Sequence, residues 1–200
     1  TVFVFGVAHA APAAPFVLTR QHFDTPFGVA ATPSGTAFVA GVAFSGEMSG
    51  FPVTVGPDLT HNQGVKDAYI AKIAFTELQA TGALRPGATV SLALTATDDT
   101  GLPYQLGTSF GPGPIKIGGR SLGLSPDALL GLSTSGALPG LFRHYTGTID
   151  GLGRASAAIA LPNGRFLIGL RVHTAFITLH PGAPAGVKSI SNTVSQTVVP

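Results

Sequence analysis

The sequence predicts an all-β protein, and three observations carry that prediction. Charged residues make up only 10% of the 200-residue chain, against roughly 25% in ordinary globular proteins. Gly (27) and Pro (16) together exceed a fifth of it. They supply the positive φ and preset φ that tight turns between short strands require. Finally, apolar and polar residues alternate with period two: in 89–97 Val90, Leu92 and Leu94 fall on one face, and Thr89, Ser91, Ala93 and Thr95 on the other. The elements taken in order below predict a four-stranded antiparallel sheet followed by an antiparallel β-sandwich.

The first fifteen residues contain the apolar run Val2–Phe5 and then small residues around His9. They read either as a β-strand or as the remnant of a secretory signal, and the run is too short to span a bilayer. Residues 16–75 form the next unit. "FVLTRQHF" (16–23) reads as a strand, 27–41 as a hairpin about Pro33-Ser34-Gly35, 45–64 as a Gly- and Pro-bearing loop, and "KDAYIAKIAF" (66–75) as a closing strand. Four strands in about sixty residues is the size and order of a propeller blade, so the sheet is expected to be blade-like.

The residues of this unit resemble the bacterial SBBP-type beta-propeller repeat. Gly28, Gly35, Phe38, Val39 and Gly41 match its first half; Phe51-Pro52, then Asp67, Ala68, Tyr69, Ala71 and Lys72, match its second. Thr32 and Thr36 depart from its turn Asp and Asn. The resemblance implies a four-stranded antiparallel sheet and no chemistry. No second copy of the pattern occurs in the chain, which is therefore expected to be the end of a longer array or to use one blade as a lone sheet.

"TELQATGALRPGA" (76–88) interrupts the strand pattern and is expected as a linker. The module at 89–200 offers strands at 89–97, 103–110, 142–150, 154–162, 167–179 and 188–199. "SPDALLGLS" (125–133) reads as a helical turn with Ser125 as N-cap and Pro126 at its first position. "IDGLGRA" (149–155) reads as a tight hairpin turn. Six or seven strands at this spacing predict a sandwich. The half from "RPGATVSLALTATDDTGLPYQLG" to "SISNTVSQTV" resembles a C-terminal module common in secreted proteins of planctomycetes and related bacteria, which implies secretion and a structural role.

The chemistry-bearing residues are few. "GTSFG" (107–111) has the Gly-x-Ser-x-Gly spacing of a nucleophile elbow, but Pro112-Gly113-Pro114 follows where a helix would have to start, so Ser109 is not expected to act. None of the six histidines pairs at ligand spacing. His173 lies in an apolar strand and is expected as a hydrogen-bonded core or edge residue. Asp98 and Asp99 in one loop and Asp150 in another are the calcium candidates, set against the alternative that they tighten turns. Tyr104 and Tyr145, with Tyr69, are the candidates for a glycan-binding platform. "GPGPIKIGG" (111–119) has glycines, but its prolines lack the N–H donors a phosphate needs. The net charge of +2 comes from scattered basic residues, without the basic stripe that nucleic acid demands.

These features lead to the expectation of a non-catalytic structural or adhesive module, extracellular or at a bacterial cell surface. Its expected partners are other protein chains or neighbouring domains of a longer protein, with no nucleic acid and no membrane insertion. Two alternatives stand beside it. One is a self-assembling filament subunit in which "TVFVFGVA" (1–8) completes a neighbour's sheet by strand addition. The other is a glycan- or calcium-binding module.

Overall fold

A computed structural model describes residues 25–43 and 67–200. The all-β prediction holds: the described chain is built of antiparallel sheets with one short α-helix. It divides into two compact units, one on the first three strands and the other comprising residues 31–36 and 74–200.

The first unit contains β1 (Thr25–Ala31), β2 (Ala37–Ala43) and β3 (Asp67–Ile73) in the sheet order β1-β2-β3. β2 and β3 pair antiparallel from Ala37↔Ile73 to Ala43↔Asp67. The predicted hairpin turn is present: Gly35 N donates to Thr32 O (2.9 Å) and Thr32 N to Thr36 O (2.9 Å). Gly35 has φ 91°, a conformation that L side chains rarely adopt. The expected fourth strand at 16–23, the N-terminal strand or signal at 1–15, and the loop at 45–64 lie outside the described residues.

The second unit is a sandwich of two antiparallel sheets. β4 (Thr76–Thr81), β5 (Thr89–Ala96), β11 (Arg154–Ala160) and β9 (Phe142–Arg143) form one, in the order β4-β5-β11-β9. β10 (Thr146–Thr148), β6 (Pro103–Ser109), β12 (Arg171–Leu179), β13 (Val187–Ile190) and β14 (Val194–Thr197) form the other, in which β13 and β14 both pair with β12. Their inward side chains make one core: Leu78, Val90, Leu92, Leu94 and Ile159 from the first sheet meet Leu106, Val172 and Phe176 from the second. Each fully buried side chain of this size contributes about 1.5–3 kcal/mol. The alternation read in 89–97 is the burial pattern of β5, whose even-numbered residues are all buried.

The outer face of the second sheet is covered too. β7 (Ile115–Ile117) and β8 (Arg120–Leu122) form a small hairpin, and α1 spans Ala128–Thr134. Leu122, Leu124 and Ala175 form a second apolar cluster there, packed by Ile115, Ile117, Leu130 and Ile177. β12 is thus buried on both faces, which is why its sequence reads as a nearly continuous apolar run.

Several expected boundaries are corrected. Residues 76–88 are not a plain linker, since Thr76–Thr81 pair with β5 from Thr76↔Ala96 to Thr81↔Ser91. The expected strand 142–150 is broken at His144, whose φ is 55°, so β9 and β10 belong to different sheets. The turn at 150–153 likewise carries the chain between sheets, from β10 to β11, and is not a hairpin within one. The 167–179 strand begins at Arg171, after a 3-10 turn at Arg165–Leu167. The 188–199 strand is split into β13 and β14. The helix is capped by Asp127, two residues after the expected Ser125, because the Asp127 carboxylate accepts from Leu130 N. The β7–β8 hairpin was not expected; Gly118 and Gly119, both at positive φ, make its two-residue turn.

Candidate functional site

The Asp98-Asp99 loop joins β5 to β6, and Asp99 is 1% exposed. Thr178 Oγ1 donates to Asp99 Oδ2 (2.6 Å) and itself accepts from Ser189 N (3.0 Å). Lys188 Nζ lies 3.1 Å from Asp99 Oδ1 and 3.8 Å from Asp98 Oδ2, and it donates to Asp98 O (2.6 Å). Asp99 Oδ1 has the ion pair but no hydrogen bond. A buried carboxylate needs a counter-charge, and here the ammonium occupies the place that a cation would take. The cluster ties the β5–β6 loop to β12 and β13.

Asp150 does not join them. Its Oδ1 accepts from Leu152 N and Arg154 N, both at 2.8 Å, which is the turn-tightening role considered as the alternative. Among the described residues no group of three or more His, Cys, Asp or Glu is arranged to hold a metal ion. The calcium candidates are therefore structural ties as the chain stands.

Two of the three glycan candidates, Tyr104 and Tyr145, are corrected as well, and the side chain of Tyr69 lies outside what the structure describes. Tyr104 and Tyr145 are each 5% exposed and belong to the core. Tyr104 sits at an inward position of β6, two residues before Leu106, so its ring packs between the sheets. Its hydroxyl donates to His144 O (3.0 Å). The Tyr145 hydroxyl is 2.8 Å from Thr108 Oγ1, which is 3.0 Å from Thr174 Oγ1. The Tyr145 ring meets Phe142 at a centroid distance of 4.8 Å and a tilt of 51°. Burial pushes the Tyr145 phenol well above its ordinary pKa, against an opposing pull from the hydrogen bonds to Thr108 and Thr174. Burial raises Tyr104 too. Neither ring offers a surface for sugar.

Ser109 is fully buried; its hydroxyl donates to Gly111 O (2.7 Å) and accepts from Ser125 N (3.2 Å). The elbow motif is thus a turn-forming serine. His173 is the buried, hydrogen-bonded histidine expected: it is 5% exposed, with Nδ1 2.7 Å from Ser195 Oγ. Lys188, Thr178, Thr108 and Asn192 escaped the sequence reading. The threonines carried a signal, because Thr174 and Thr178 fall at inward positions of an apolar strand and need partners there. Lys188 carried none.

A cavity of about 150 Å³ lies between β6, β12, the β7–β8 hairpin and α1, lined by Gly107, Ile117, Leu124, Leu130, Ala175 and Ile177 among others. A Cβ on Gly107 would come within 2.6 Å of Leu130 Cδ1, so this glycine lets the helix approach the strand closely. Its other walls include the polar residues Gln105 and Thr134. Among the described residues no helix is long and apolar enough to cross a membrane. No protein-family model matches the chain, and none of the curated proteins matches it.

Proposed function

We propose that the chain is a non-catalytic structural or adhesive module of a bacterial extracellular or cell-surface protein, working beside other chains or neighbouring domains. One observation supports this most: the polar side chains buried in the sandwich are engaged in holding it together. Asp99 with Lys188 and Thr178, and Tyr145 with Thr108 and Thr174, bind one strand or sheet to another. The sparse charge and absence of cysteine agree with a surface β-protein that does not rely on disulfides. A thermal-unfolding screen against soluble glycans tests the reading, because a ligand that binds the folded state raises the midpoint by mass action. The expected midpoint is the same with every glycan. A saturable rise with any one of them would overturn the reading in favour of a binding module.

A second reading, the self-assembling filament subunit, is favoured by a separate observation. Phe27 and Val29 on one face of β1 are 72% and 57% exposed, and Ile70 on β3 is 77% exposed. Such apolar surface favours contact with a second copy of the chain. Light scattering across a concentration series, with negative-stain images of the same samples, tests it. Mass that rises with concentration, and falls back when residues 1–10 are deleted, supports strand addition; a constant monomer mass removes it.

A further inference from the structure

We infer that Lys188 and Asp99 condense into an intramolecular amide, a covalent cross-link between β13 and the β5–β6 loop. The inference stands apart from the functional proposal and rests on the geometry of one cluster. Asp99 is buried to 1% exposure, yet its Oδ1 has no hydrogen bond. The amine of Lys188 is 3.1 Å from that same oxygen. Oδ2, by contrast, is held by the Thr178 hydroxyl at 2.6 Å. The two oxygens are thus differentiated: one is anchored as an amide carbonyl would be, and the other faces the nucleophile.

The step balances without any co-reactant. The ammonium of Lys188 gives a proton, through one water, to the Asp98 carboxylate, whose Oδ2 is 3.8 Å from Nζ. The nitrogen lone pair then attacks Cγ of Asp99, forming the Cγ–Nζ bond. The Cγ–Oδ1 bond breaks, and Oδ1 departs as water carrying two of the three ammonium protons, one of them relayed by Asp98. The third stays on the amide nitrogen, directed at Asp98 O, to which Nζ already donates at 2.6 Å. Thr178 continues to donate to the remaining oxygen. The oxygen without a hydrogen bond is the atom removed. The side chains of Lys188 and Asp98 are 35% and 36% exposed, which leaves the water a way out. Holding the groups in contact supplies an effective concentration of about 10⁵–10⁸ M in well-oriented cases. In a chain without cysteine, such a link would take the part of a disulfide, restricting the unfolded chain across a long loop.

The test is the intact mass of the purified full chain under denaturing conditions, followed by tandem mass spectrometry of a tryptic digest. The expected mass is one water below that of the sequence. The digest is expected to hold the Lys188 and Asp99 peptides joined, uncut after Lys188. Lys188→Arg and Asp99→Ala should restore the sequence mass, and Asp98→Ala should leave part of the chain uncondensed. A wild-type mass equal to the sequence mass would overturn the inference whatever the variants do. A deficit that persists in Lys188→Arg would overturn it too, placing the lost water elsewhere, for example at the Asp150-Gly151 step.

Discussion

Tyr145 shows how a single hydroxyl is placed in an otherwise apolar core. Its ring packs with Phe142 while its oxygen reaches Thr108, which in turn contacts Thr174. Tyr145→Phe keeps the ring and removes the hydroxyl's hydrogen bonding to the two threonines, so a stability loss of about 1 kcal/mol is expected. In a chain of this size that lowers the melting midpoint by about 2–4 °C, read by calorimetry. The phenol also fixes a pH dependence. Its folded pKa is raised by burial above the ordinary value near 10. The stability it contributes is therefore complete below about pH 10 and is lost as pH rises from there towards the folded value. Absorbance titration should show tyrosinate from this residue only as the chain unfolds, and the alkaline loss should shrink in Tyr145→Phe. The sequence did not reveal this role. A tyrosine suits a wet surface and a half-polar core equally, and only the shared face with Leu106 marks Tyr104 as inward. His173 was legible because an apolar strand surrounds it on both sides.

At the scale of elements, the edge strand β4 is closed by a side chain. Asn192 Oδ1 accepts from Leu78 N (2.7 Å) and its Nδ2 donates to Leu78 O (3.0 Å), so the amide acts as one more strand residue. Asn192→Ala leaves both backbone groups without this partner. A loss of about 1–3 kcal/mol is expected, together with faster hydrogen exchange in Thr76–Thr81; unchanged exchange there would show that the edge is closed by something else. The helix cap makes a parallel case. Asp127 Oδ1 accepts from Leu130 N (3.0 Å) and Oδ2 from Phe110 N (2.8 Å). Asp127→Ala is expected to cost about 1–2 kcal/mol in chemical denaturation. The central strands β5, β6, β11 and β12 were readable because burial on one or both faces imposes a pattern on them. β4 was not, since Glu77, Gln79 and Thr81 leave Leu78 as its single fully buried side chain. The breaks at His144 and between β13 and β14 were hidden for another reason. At His144 the chain changes sheet, and between β13 and β14 it stays beside β12 but leaves the ladder, in both cases without a Gly or Pro to mark the place.

At the scale of the molecule, Asp98, Asp99, Tyr104 and Tyr145 looked like sites from sequence and are ties between strands and sheets. Acidic pairs in loops and tyrosines in strands serve binding in many proteins, and spacing alone does not separate the two uses. What separates them here is the third dimension, which brings Lys188 to the Asp98-Asp99 loop and turns both tyrosines inward. In that loop Lys188 stands where a cation would sit, whether as the ammonium beside Asp99 or as the amide formed from the pair. The most direct test is a pair of calorimetric melts of the full chain, one in millimolar calcium and one in excess chelator. Superimposable curves are expected. A midpoint several degrees higher in calcium would contradict it, because only a cation bound to the folded state could produce that rise.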